Sequence, residues 1–259
     1  MPELPDLQVF SRNLDKKLAG KTLEKVTVPN DKKLNVSVKS LQSTLQGQKL
    51  QKVHRVGKEL HLDFKDGDVL GLHLMLRGQL HLFENKNDHK HTVIALLFDD
   101  GTGLAMTDGF GQATPTLNPE DREAIDALSP KMTAAFLTEQ LQSTKAAVKN
   151  VLLDQNIIRG IGNAYADEIL WDAGISPFSA ANKIPEASIK ALAKSIKEVL
   201  HNAEKHILKE HPDIISGEIR DFMDIHNPHK THSPKGAAIQ HKTVGGRKTY
   251  YTEEQELYK

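Results

Sequence analysis

The periodicity of this chain changes near residue 115, and that change most constrains its fold. From Thr22 to Thr107 the sequence is a series of short runs with period-two character: TLEKVTV, LQKVHRV, ELHLDF, VLGLHLML, QLHLF, TVIALLF and GLAMT. Such runs predict half-buried strands. Lys65-Asp66-Gly67-Asp68 and Asp99-Asp100-Gly101 separate neighbouring runs at hairpin spacing, so this half predicts an antiparallel sandwich or barrel. Ahead of it, Leu7, Phe10, Leu14 and Leu18 recur at three-to-four spacing and stop at Gly20, which predicts an amphipathic helix laid against the sheet. From Asn118 onward the period is helical, and the long segment PEASIKALAKSIKEVLHNAEKHILKE begins with Pro185, where a first-turn proline is tolerated. The stretch around Pro115 to Ile125 reads as the linker. The fold class is α+β.

Composition removes several function classes. The chain has 259 residues, 38% apolar and 26% charged, as expected of a soluble globular protein of one large or two ordinary domains. No window approaches the roughly 18 consecutive apolar residues of a membrane span. Glu3, Asp6, Asp15 and several lysines interrupt the first 20 residues, so no secretory signal is visible and a cytoplasmic protein is expected. With no cysteine, disulfides, thiolate catalysis and Cys-ligated metal sites are excluded. The formal net charge is zero, so any case for nucleic-acid binding must rest on local charge.

Two local features make that case. Between Ile225 and Thr252 there is no Asp or Glu, while Lys230, Lys235, Lys242, Arg247 and Lys248 supply five cations among four histidines. This is either a solvated tail or a phosphate-facing hairpin, with Gly245-Gly246 as a tight turn that puts Arg247 at the tip. In LLDQNIIRGIGNAYADEILWDAG, two helical stretches, Ala146 to Gln155 and Asn163 to Ala173, flank a glycine-bearing turn. Asn163 is placed there to cap the second helix and offer an amide, and the exposed amides of that helix start favour an anion. A helix hairpin whose glycines only permit tight packing is the alternative.

The terminus MPELPD raises a further question, because Pro2 and Glu3 can be read simply as a first-turn proline and an acid at a helix start. Taken with GKELHLDF, HLMLRGQLHLF, LLDQNIIRGIGNAYADEIL and GGRKTYY, in that order and spacing, the terminus resembles the formamidopyrimidine-DNA glycosylase and endonuclease VIII family over essentially the full chain. The resemblance implies a β-sandwich catalytic domain over residues 1–115, a helical domain with a helix–two-turn–helix over 116–224, and a β-hairpin finger over 225–259. It implies that removal of Met1 exposes Pro2 as a secondary amine that attacks C1′ of a damaged nucleotide, that Glu3 protonates the opening sugar, and that Lys58 contacts the phosphate beside the lesion. Asn163 and Arg247 match residues that hold the flanking phosphates, His73 one near the DNA backbone, and Lys149 one in the DNA cleft. Solvated or sheet-satisfied roles are the ordinary alternatives for Lys58 and His73.

Three departures from the family pattern are visible. The positions aligned with its zinc cysteines are His232, Lys235, Thr252 and Gln255, which cannot make an ordinary tetrahedral zinc site. The finger is therefore expected to be zincless, packed by Ile239, Val244, Tyr250 and Tyr251, with no cofactor. His226, His229 and His232 are better read as DNA-facing or solvated than as a substitute metal site. The base-gap wedge is expected from Leu76 and Phe110, but the loop carrying Phe110 is two residues shorter than the family's and lacks its arginine. Between Ile215 and His226 the chain is too short for the long lesion-capping loop. The expected protein is a monomer acting on damaged double-stranded DNA, cytoplasmic and held at the nucleoid by DNA, that removes oxidised bases and cleaves the resulting abasic site by β- or β,δ-elimination. A non-enzymatic damaged-DNA-binding homologue is the alternative.

Overall fold

The computed structural model describes every residue except Arg122, which lies in the expected linker. The chain packs into two units, residues 1–121 with 207–218, and residues 122–206 with 219–259.

In the first unit, two four-stranded antiparallel sheets form a sandwich. One is ordered β1 (Leu23–Thr27), β6 (Thr92–Phe98), β7 (Thr102–Thr107), β5 (Gln79–Glu84); the other β2 (Leu50–Val56), β3 (Glu59–Phe64), β4 (Val69–His73), β8 (Thr114–Leu117). Helix α1 (Leu4–Leu18) covers the core as its spacing predicts, because Leu7, Phe10, Leu14 and Leu18 lie on one stripe and are all buried among Leu60, Leu62, Leu72, Leu96 and Leu104. It ends as Gly20 turns to φ +89° and its amide donates to Leu50 O at 2.8 Å. A conformation with that sign favours glycine. The residues after the long C-terminal helix return to this unit, where Ile214 and Ile215 pack on the core and Asn13 Nδ2 donates to Ile214 O at 2.8 Å.

Two details differ from the sequence reading. Helix α2 (Val38–Leu45), capped by Ser37 and buried through Leu41 and Leu45, interrupts the strand-rich half; eight residues carry too little periodicity to stand out among short runs. The stretch from Pro115 onward is not all linker, since Pro115 pairs with Leu72 in strand β8. That strand lies at the edge of its sheet, where a residue without an amide hydrogen is tolerated.

The second unit is helical, with α3 (Ala134–Gln142), α4 (Val148–Leu153), α5 (Asn163–Asp172) and most of α6 (Glu186–Glu210). The two short strands β9 (Ile125–Asp126) and β10 (Ile158–Arg159) run parallel, and β11 (Gln240–Val244) pairs antiparallel with β12 (Arg247–Tyr251). Helix α4 is shorter than expected because it starts after Ala147 and closes at Asp154. Trp171 of α5 packs with Ile225, Tyr250 and Ile239, and Phe178 meets Tyr251 edge-on at 4.8 Å. Among the described residues no helix is long and apolar enough to cross a membrane.

Candidate active site and nucleic-acid interface

The start of α1 is built on Glu3, Leu4, Pro5 and Asp6. Glu3 is the N-cap, Leu4 opens the helix, and Pro5 occupies the first turn, where proline costs nothing because its amide would be unpaired anyway. Glu3 and Asp6 form a reciprocal capping box in which Glu3 N donates to Asp6 Oδ2 at 2.8 Å, both side chains being buried. Pro2 therefore sits one residue before the cap. There it lines an open cleft of about 520 Å³ with Leu76, Arg77, Gln79, Gly217 and Glu218. The ammonium of Met1 pairs with the Glu218 carboxylate at the same place.

Three tight turns of this unit carry the other expected residues. Gly57 and Lys58 join β2 to β3, Gly57 at φ +59°. Arg55 braces that turn by donating from Nη1 to Gly57 O at 3.0 Å and from Nε to Gln8 Oε1 of α1 at 2.9 Å. Turn 74–78 is closed by the Gly78 amide donating to Leu74 O at 2.8 Å, and a Cβ at position 78 would stand 2.3 Å from that oxygen. His73 Nδ1 accepts the Met75 amide at 3.0 Å, so it helps fix the turn that presents Leu76. Phe110 stands on a loop organised by Asp108, whose carboxylate accepts the amides of Phe110, Gln112 and Ala113 at 2.9, 2.6 and 2.8 Å. Burial pushes the Asp108 carboxyl up, yet these amides and that of Gly111 hold it below its usual range. Leu76 and Phe110 are 61% and 69% exposed.

In the second unit the glycine-bearing turn and the hairpin meet. Gly162, not Asn163, is the N-cap of α5; Asn163 begins the helix and turns its amide Nδ2 to Lys248 O of β12 at 2.9 Å. Gln155 shapes the turn, accepting the Gly160 amide at 3.0 Å and donating to Ile161 O at 2.9 Å. Gly245 and Gly246, at φ +53° and +74°, make the two-residue turn that leaves Arg247 exposed. A Cβ at Gly245 would meet Asn150 Oδ1 of α4 at 2.7 Å, so the hairpin tip is seated on that helix. Asn163 and Arg247 thus stand on adjoining elements.

Lys149, expected in the DNA cleft, is instead fully buried: its Nζ pairs with Asp167 Oδ1 at 2.6 Å and donates to Thr249 Oγ1 at 2.7 Å. Asp167 also accepts the Tyr250 amide at 2.9 Å and lies 2.7 Å from His226 Nδ1. A lysine at one-turn spacing reads as surface in sequence, because the acid that neutralises it is 18 positions away on another helix. Beside it, Glu168 accepts the amides of Asp224, Ile225 and His226 at 2.8, 2.9 and 2.7 Å. Burial nevertheless pushes its carboxyl above the usual range.

The finger has a different anchor from the one the family's zinc would supply. Glu254 accepts from Trp171 Nε1 at 2.8 Å, Ser233 Oγ at 2.9 Å, Thr252 Oγ1 at 3.0 Å and the Ala237 amide at 3.3 Å. Desolvation pushes its carboxyl up, but these donors together hold it below the ordinary range. Lys235 stacks over Trp171 at 4.9 Å, and Gln255 Nε2 donates to Ile175 O at 2.8 Å. Of the zinc-aligned positions, Lys235, Thr252 and Gln255 are engaged in these contacts, and a lysine, a threonine and an amide beside a single histidine do not fit the metal. Among the described residues no group of three or more His, Asp or Glu side chains could hold a metal ion. Glu254 has no pattern-level signal; it is one acid in the TEEQE tail.

A β-sandwich fronted by an N-terminal helix, then a helical unit with a glycine-bearing two-helix turn and a terminal hairpin, is a DNA glycosylase architecture. Residues 1–112 match the formamidopyrimidine-DNA glycosylase N-terminal domain and residues 124–209 its H2TH domain. The formamidopyrimidine-DNA glycosylase of Actinobacillus pleuropneumoniae serotype 3 is 32% identical over 266 residues, covering 97% of each chain. In structure, the chain is similar to Lactococcus lactis Fpg in complex with abasic-site DNA (TM-score 0.88, 25% identity) and to MutM in complex with DNA containing carbocyclic 8-oxo-G (TM-score 0.88, 26% identity). Each comparison covers 98% of this chain and all of the other. The chain belongs to the formamidopyrimidine-DNA glycosylase family.

The burial of Lys149 has a measurable consequence. Removing one partner of a buried ion pair leaves an uncompensated charge at a cost of about 3–5 kcal/mol, so Lys149→Met should lower the unfolding free energy of the chain by that order in chemical denaturation. A surface lysine would change it by less than about 0.5 kcal/mol.

Proposed function

We propose that the chain is a bifunctional DNA glycosylase and abasic-site lyase for oxidised bases in duplex DNA, with Pro2 as its nucleophile. The observation that carries this reading is the placement of Pro2 in the lining of the open cleft, one residue ahead of the helix cap. Once Met1 is removed, the Pro2 nitrogen becomes a secondary amine. Its lone pair forms a bond to C1′ as the C1′–N bond to the base breaks, the base leaving with a proton, and ring opening gives a cationic iminium. The iminium acidifies C2′–H, and loss of that proton expels the 3′ phosphate. Glu3 is the nearby carboxyl group for proton transfer to the ring oxygen. Lys58, presented by a turn braced to α1 through Arg55, meets the adjacent phosphate, and His73 lies along the same backbone.

In this reading residues 1–115 carry the chemistry, while 116–224 and the metal-free finger 225–259 grip DNA. Leu76 and Phe110 fill the gap left by the extruded nucleotide. The partner is damaged double-stranded DNA, bound by a monomer. The Lys149 assignment is withdrawn from this set.

Two measurements test the reading. On duplexes carrying an oxidised purine, an oxidised pyrimidine or an abasic site, wild-type protein is expected to cleave the abasic strand and at least one lesion strand, and Pro2→Gly to lose both. Binding without cleavage on every duplex would leave a damaged-DNA-binding homologue in its place. Neutralising one phosphate contact changes the slope of log affinity against log salt by about 0.9, so Arg247→Ala should flatten the curve by that amount. Asn163→Ala should lower affinity at nearly unchanged slope. Unchanged affinity and slope for Arg247→Ala would remove the hairpin from the DNA-binding surface.

A further inference from the structure

We propose that Arg77 reads the base left unpaired when a damaged nucleotide is extruded, an inference that rests on the glycosylase reading of the same cleft. Extrusion leaves two things in the duplex: a gap in the stack, which apolar surface fills, and an opposite base whose pairing edge has lost its hydrogen bonds. Leu76 and Phe110 supply the apolar surface. Loop 107–111, which carries Phe110, contains no basic residue, so it offers that pairing edge no cationic donor.

Arg77 supplies what the loop lacks. It lines the same cleft as Pro2 and Leu76, and its guanidinium carbon lies 5.6 Å from the centroid of the Phe110 ring. A guanidinium stacked on an aromatic face keeps its in-plane donors free for a third group. The position is built into the fold. Turn 74–78 is closed by the Gly78 amide on Leu74 O, Met75 holds φ +53°, and a side chain at position 78 would collide with the backbone. Arg77 and Leu76 therefore leave the apex of one rigid turn together.

The chemistry also sets which base is favoured. A guanidinium only donates. Cytosine presents two adjacent acceptors, O2 and N3, on its pairing edge and suits a two-pronged donor, whereas adenine presents N1 alone beside an amino donor. A bidentate contact of this kind discriminates roughly 5- to 100-fold between bases.

The test uses abasic-site duplexes that differ only in the opposite base, with wild-type, Arg77→Ala and Arg77→Lys proteins and borohydride-trapped adduct as the readout. Wild-type protein is expected to favour cytosine over adenine by at least about fivefold, and both variants to bring the ratio within about twofold, because lysine keeps the charge but not the fork. A wild-type ratio near one, or a ratio retained in either variant, overturns the proposal. Absence of any adduct with wild-type protein on all four duplexes overturns the glycosylase reading instead.

Discussion

Much of the second unit depends on one buried carboxylate. Asp167 neutralises Lys149 of α4, accepts the amide of Tyr250 in β12 and contacts His226, so a single side chain on α5 ties together the preceding helix, the hairpin and the segment leading into it. Burying an unpaired carboxylate or ammonium would cost several kcal/mol per ion, and their mutual contact with added hydrogen bonds offsets that. The next residue, Glu168, collects three consecutive amides of that leading segment. Glu254 then gathers four donors at the base of the finger. Together these three acids hold the segment and the hairpin that carry Arg247 by hydrogen bonding.

The fold was legible wherever a period or a turn residue carried it. The stripe Leu7, Phe10, Leu14, Leu18 located α1, and Gly245-Gly246 located the hairpin turn. What was not legible depends on partners distant in sequence. Lys149 reads as a cleft lysine until Asp167 and Thr249 surround it. Asn163 reads as a cap until Gly162 takes that place and Lys248 O takes the Asn163 amide. Pro115 reads as linker because proline breaks most structure, and only its place on a sheet edge makes it a strand residue. Arg55, Gln155 and Glu254 were missed for the same reason, each being a common polar residue whose role is set by what it touches.

The candidate site was legible to a different degree. Pro2 and Glu3 stood out only through their company of motifs, since alone they fit an ordinary helix start. In the structure the Glu3–Asp6 capping box and Pro5 open the helix, and Pro2 stands just ahead of them, lining the cleft. Leu76 and Phe110 are exposed, and the nearness of Arg77 to Phe110 follows from the meeting of two turns 33 positions apart in sequence and had no signal in either.

The central claim is that the reactive amine is the nitrogen of Pro2. Peptide mapping of the borohydride-reduced adduct with abasic-site DNA tests it most directly. The account predicts a sugar remnant on the N-terminal peptide, attached to the nitrogen of Pro2 with Met1 absent. A remnant on Lys58 or any other lysine, or on a chain that retains Met1, would contradict it.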